Sequence, residues 1–398
     1  MNFLTRFNIK HTHFGLLWGL VLMQMLNWSL PYKLFLYANI VIVVIYAIQH
    51  ANVSSFKLPN QLWLLLIVPI GFIFLHFCAG HIDFTKQVRI ILVAAGISLS
   101  MWILAKKEGE YVQKQLVNLS ILLLMVYAGV QCLAYFVAHL QYGTTKNPHY
   151  LAQYCALGIP LAIFCYGKVC AKLKLLVGAI LIALGYFLLL TSSRPAWIGL
   201  ILSALLTMAF MRGKNIKLYA GILIMLPLIL YTFNVENFGS RFTELAQHIT
   251  TEERVAIWQD DWKMQNSSNA KQWIVGHGLG SFFEDFKLYS TNHERAVKKL
   301  SIDFNSPHNH LLEILYTSGI FGLGLLFVLY YLLYHQLIKR ITDPVKIYRS
   351  VSILLFVLLT INTLFTAITV PFFRSYTLNI IALITGSLLF IHELKSKK

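Results

Sequence analysis

The sequence predicts an all-α polytopic membrane protein with about twelve transmembrane helices and one large loop on the outer face. Three observations carry that reading. Of 398 residues 57% are hydrophobic and only 12% charged, about half the charged share of a soluble domain. Mean hydropathy is +0.65. Apolar runs of the roughly 17–25 residues that a bilayer requires recur at 14–30, 33–48, 61–79, 88–105, 115–138, 150–167, 174–191, 195–211, 217–233, 309–334, 348–370 and 376–393.

The net charge of +17 would suit nucleic acid, but its distribution argues against that partner. With the N-terminus inside, the cytoplasmic connections hold nineteen of the 33 basic residues, among them Lys106, Lys107, Arg212, Lys339 and Arg340, while the short outer loops hold six. The six are Lys33, Lys86, Arg89, Lys146, Arg194 and Arg374. This asymmetry is the positive-inside signal and places both termini in the cytoplasm. The first run follows a basic start without a small-residue cleavage site, so it reads as an uncleaved helix. The five cysteines lie in or beside the runs, which implies no disulfide framework, and no Cys/His spacing suggests a metal.

Residues 234–307 depart from the pattern and divide the chain into 1–233, the outer loop 234–307 and 308–398. Eight basic residues in the loop are balanced by ten acids. A structureless loop of this length is unusual, so it should carry short helices and the function. Thr250 or Thr251, Glu253, Val255, Trp258 and Trp262 predict a capped amphipathic helix ending near Met264. The turn Gly276-His277-Gly278-Leu279-Gly280 lets the backbone bend tightly and approach a ligand closely. It lacks the strand–helix context of a dinucleotide fingerprint.

The most informative stretch is Ser306-Pro307-His308-Asn309-His310, running on to Gly319 and Gly322. It puts an imidazole and an amide where the polar loop meets an apolar helix. Arg194, followed by Pro195, and Arg254, one turn before Trp258, add two permanent cations at the same outer face. A guanidinium fork matches phosphate oxygens bidentately. Taken singly, His308 also reads as an interfacial anchor, Arg194 as a snorkelling arginine and Arg254 as part of a solvated helix face.

Together these residues carry a resemblance. Ser-Ser-Arg-x-Ala-Trp around Arg194, Arg-x-x-x-Trp at Arg254, the glycine turn, and His308-Asn309 followed by Gly319 and Gly322 resemble the O-antigen ligase and polymerase superfamily of bacterial envelope proteins. The resemblance spans about 190–322. It implies an inner-membrane glycosyltransferase of GT-C-like helical fold, with its active site on the periplasmic face. It further implies a glycan donor on undecaprenyl pyrophosphate and, for a ligase, a lipid A–core acceptor of lipopolysaccharide. By the matched motifs, Arg194 and Arg254 would bind pyrophosphate and His308 would be catalytic. Arg241, Asn309 and His310 are accessory candidates.

On that reading His308 is a general base for the acceptor hydroxyl, with an ordinary imidazole pKa of ~6.5. Displacement on an α-linked donor inverts the anomeric centre. No cofactor or metal is expected, because clustered carboxylates are lacking. Asn309 would orient the imidazole or touch sugar, and His310 would be the substitute base. Glu313 falls on another face of a continuous helix, which argues against a His–Glu dyad. The chain ends straight after its last run, which favours ligase or polymerase over a protein glycosylase. A secondary transporter of an anionic lipid or sugar is the alternative of another class, although no inverted repeat supports it.

Overall fold

A computed structural model describes residues 9–49, 60–82, 85–145, 147–191, 193–210, 253–292, 307–369 and 371–396. Among them the fold is helical throughout, with no strand. The run expected at 217–233, the cap residues Thr250 and Thr251, and Arg241 lie outside the described residues.

The first half comprises α1 (Ile9–Met25), α2 (Ser29–Gln49), α3 (Asn60–Cys78), α4 (Lys86–Phe136), α5 (Pro148–Tyr166), α6 (Ala171–Thr191) and α7 (Arg194–Phe210). The described part of the polar segment supplies three short helices, α8 (Glu253–Asn266), α9 (Ala270–Val275) and α10 (Phe282–Asn292). The last three are α11 (His310–Ile341), α12 (Lys346–Ile368) and α13 (Ser375–Ser396). Among the described residues six stretches are long and apolar enough to cross a membrane: Lys86–Lys106, Gly109–Phe136, Ala171–Thr191, His310–Ile341, Lys346–Ile368 and Thr377–Lys395. Shorter apolar helices lie at Gly15–Met25, Ser29–Ile42, Leu62–Cys78 and Arg194–Leu206.

One expected break is absent. The runs at 88–105 and 115–138 belong to the single helix α4. Lys106, Lys107, Glu108 and Glu110 are good helix formers, and Gly109 alone costs only about 1 kcal/mol relative to Ala. Both parts of α4 are held by α1, where His13 Nε2 meets Ser100 Oγ at 2.6 Å and Trp18 Nε1 donates to the Leu119 carbonyl at 3.0 Å.

Two apolar cores result. One joins α3, most of the first part of α4, α11, α12 and α13 with residues of α1 and α2, and the other joins the end of α1, the second part of α4, α5, α6 and α7. Helix α12 contributes to both, through Phe356 and Leu359 on one side and Ile361 and Phe365 on the other. Several polar groups inside the bundle are paired across helices, as hydrocarbon surroundings favour. Gln153 of α5 donates to Asn362 of α12 at 3.0 Å, and Ser98 of α4 donates to the Ala382 carbonyl of α13, also at 3.0 Å. Large apolar side chains such as Phe74, Leu133, Ile182 and Phe327 point outward, an arrangement suited to lipid and costly in water.

A third, small core fixes the polar segment to the bundle. Ala256, Ile257 and Met264 of α8 and Phe282 and Phe286 of α10 close over Tyr316 of α11. Helix α8 ends two residues beyond the expected Met264, at Asn266.

Candidate active site

Four parts of the chain, distant in sequence, meet at one end of the bundle. Residues Pro307–Asn309 lead into α11, α8 lies against them, α5 begins nearby, and the α12–α13 connection completes the group. Asn309 ends the loop. Its backbone is extended (φ −143°, ψ 116°), and its side-chain oxygen accepts from the Leu311 and Leu312 amides at 3.0 and 3.3 Å. Those amides belong to the first helical turn, which has no intrahelical acceptor for them.

His308, just before the cap, has φ 53°, a left-handed conformation in which His, Asn and Asp are enriched among non-glycine residues. Its Nδ1 lies 2.8 Å from the Thr369 carbonyl oxygen. A carbonyl can only accept, so Nδ1 carries the hydrogen and Nε2 keeps its lone pair. Burial, the larger influence, and the charges of Arg254 and Arg374 hold the His308 pKa below its usual 6.5, against the upward pull of the Thr369 carbonyl. The ring is neutral at neutral pH, with its basic nitrogen fixed.

The cations are positioned with similar care. Trp258 Nε1 donates to the Pro307 carbonyl at 2.9 Å, which ties α8 to the His308 turn. One turn earlier, Arg254 Nη2 donates to His149 Nε2 at 3.4 Å. His149 stands at the start of α5, where Asn147 caps the helix by accepting from the His149 amide at 2.8 Å. Arg194 opens α7. Gly199, further along α7, packs on Ile361 of α12. Arg374 follows Phe372 and Phe373 in the α12–α13 connection. There the Phe372 amide donates to Glu313 Oε2 at 2.6 Å. Glu313 of α11 thus braces the segment that also presents the Thr369 carbonyl to His308.

The other expectations fare differently. His310 is buried inside the bundle, with Tyr330 and Phe372 at ring-centroid distances of 6.0 and 6.3 Å. The Asn309 carbonyl oxygen serves the helix cap, leaving the amide nitrogen for any sugar contact.

The glycine turn approaches protein backbone where a ligand was expected. Gly276, Gly278 and Gly280 all have positive φ (82°, 96° and 92°). The His277 and Gly278 amides donate to the Tyr316 and Thr317 carbonyls, each at 2.9 Å. On the other side α11 is kinked at Gly319 (φ 65°, ψ −166°), and a Cβ there would strike the backbone of Ile274 and Gly276. The two glycine signatures therefore fit each other. His277 stacks on Tyr316 at 4.2 Å and bonds Ser268 Oγ at 2.7 Å. Gly276→Ala should cost about 1–3 kcal/mol through backbone strain, read as a lower melting temperature. An unchanged melting point would remove this account of the turn.

Residues 179–327 match the family model described as O-antigen ligase. The matched stretch holds Arg194, Arg254, the glycine turn, His308 and Gly319. The chain carries the O-antigen ligase domain. No curated protein sequence matches the chain. His149 and Arg374, which join the cluster in space, lie outside the O-antigen ligase match, and sequence reasoning did not select them. A signal existed for His149, because Asn147-Pro148-His149 repeats the proline–histidine pair of Pro307-His308 at a helix start. Arg374 was visible only as one basic residue of an outer loop.

Proposed function

We propose that the protein is an O-antigen ligase-type glycosyltransferase that moves a glycan from undecaprenyl pyrophosphate to lipid A–core. The observation that carries this reading is the His308–Thr369 contact, which holds a neutral imidazole with its lone pair on Nε2, under the positive charge of Arg254. In the proposed step the acceptor hydroxyl gives its proton to His308 Nε2 as its oxygen attacks the anomeric carbon. The bond from that carbon to the diphosphate oxygen breaks, and the electron pair leaves with the diphosphate. Arg194 and Arg254 neutralise the charge that grows there, usually the largest single contribution to such catalysis. The anomeric centre inverts. Guanidinium groups thus take the part that a divalent cation plays elsewhere, so transfer should persist in a chelator.

A lipid-borne donor also needs room for hydrocarbon. Helices α5 and α13 begin at the site, and about one and a half turns inward Tyr154 and Asn379 line a cavity of about 330 Å³. The cavity continues between apolar side chains of α1, α4 and α12 as far as Leu394, which suits an isoprenoid tail.

In an inner membrane, both termini are cytoplasmic and the site is periplasmic. A reporter active only in the periplasm should be silent when fused after Lys398. An active fusion would place the site on the wrong side. The assignment as a ligase is tested in a deletion strain, which should accumulate long lipid-linked glycan while losing it from lipopolysaccharide. Loss of the long lipid-linked glycan itself would instead mark a polymerase.

A further inference from the structure

Arg374 is a half-buried guanidinium on the short connection between α12 and α13, and that connection is held at two points. The Thr369 carbonyl bonds His308 Nδ1 at 2.8 Å, and the Phe372 amide bonds Glu313 Oε2 at 2.6 Å. Just beyond Arg374 the chain is locked again, because its own carbonyl accepts from the Leu378 amide at 3.0 Å as α13 begins. The arginine therefore sits on backbone fixed on both sides, next to the proposed base. Its charge is felt by His308, by Tyr150 at the start of α5 and by Glu313.

The surrounding charges leave this cation uncommitted. Glu313 is the acid that faces it, and one Glu313 oxygen already serves the Phe372 amide. Among the described residues no hydrogen bond or ion pair engages the Arg374 side chain. Arg254 adds a second positive charge to the same imidazole, so two guanidinium groups converge on one small region. Like charges held close to one another are costly, and a bound dianion relieves that cost.

We infer that Arg374 is a further cation of the diphosphate subsite, carried by the α12–α13 connection while Arg254 is carried by α8. This rests on the reading of the site as one for a lipid diphosphate and adds to it a residue outside the matched family segment. Two clamping groups on separate elements would grip the diphosphate from two directions and set it against the base, and each charge-assisted bidentate contact strengthens that grip.

The test is binding of inorganic pyrophosphate, and of a polyprenyl diphosphate in micelles, to the purified full chain. Wild type, Arg254→Ala, Arg374→Ala and Arg374→Lys are compared. Arg374→Ala should weaken both probes by about tenfold or more, with Arg374→Lys, which keeps charge and loses the fork, falling between. Should the alanine variant fail to fold, the lysine variant carries the test, and several-fold weaker binding is expected. Wild-type affinity in the Arg374 variants, alongside weakened binding in Arg254→Ala, would overturn this inference and leave the diphosphate site standing. Failure of the wild type to bind either probe would overturn the site reading and the inference together.

Discussion

Replacing His308 with Asn should lower glycan transfer by about 10²–10⁴-fold, the range that a positioned general base supplies. Asn is the apt substitute because the residue must hold φ 53°, and Asn tolerates the left-handed region while offering no base. The variant should insert normally and bind the lipid diphosphate as the wild type does, since binding rests on the arginines. The pH dependence sharpens the test. Only the neutral ring accepts a proton, and burial together with Arg254 and Arg374 sets the His308 pKa below 6.5. Wild-type transfer should therefore be level through neutrality and fall as pH drops below 6.5. His310→Ala should leave that acid limb in place, because His310 is packed against Tyr330 and Phe372. Near-normal turnover by His308→Asn would return His308 to the role of an interfacial anchor.

Loss of Arg254 should be as damaging and different in kind. Arg254→Ala would remove the proposed diphosphate contact and also leave His149 Nε2 without the donor it meets at 3.4 Å. Donor affinity and the rate of transfer should both fall, with kcat/KM lower by about 10²-fold or more. Arg194→Ala should show the same pattern. The lysine variants should retain a small part of the activity, since a point charge replaces a planar fork. Lys271→Ala is the control, an exposed residue on α9 in the same polar segment, and should have little effect. Equal losses at all three positions would indicate a misfolded segment in place of a phosphate clamp.

Much of this architecture was legible in the sequence, for reasons that differ by element. Helices α6, α11, α12 and α13 declare themselves through apolar length, which the bilayer imposes on any spanning helix. The short α8 was legible because Arg254, Trp258 and Trp262 recur at helical spacing. The continuity of α4 was not, because Lys106 to Glu110 signals a polar connection by charge while its residues favour helix. At the site, Arg254 and His308 carried motif context. Arg374 and Glu313 did not, since their importance lies in which backbone they face, and only packing brings Phe372 to Glu313. The glycines were noticed for conformational freedom, but their partner, the kink at Gly319, is a contact between two chain segments.

The most direct test of the central claim is transfer by the purified protein supplied only with an undecaprenyl-pyrophosphate-linked glycan and a lipid A–core acceptor, in the presence of EDTA and without nucleotide. The account predicts glycan joined to the acceptor, with one undecaprenyl pyrophosphate released per transfer and the anomeric configuration inverted, as read by NMR of the product. Retention of configuration would contradict direct displacement by the acceptor, and dependence on nucleotide or metal would contradict a site built from His308 and guanidinium groups.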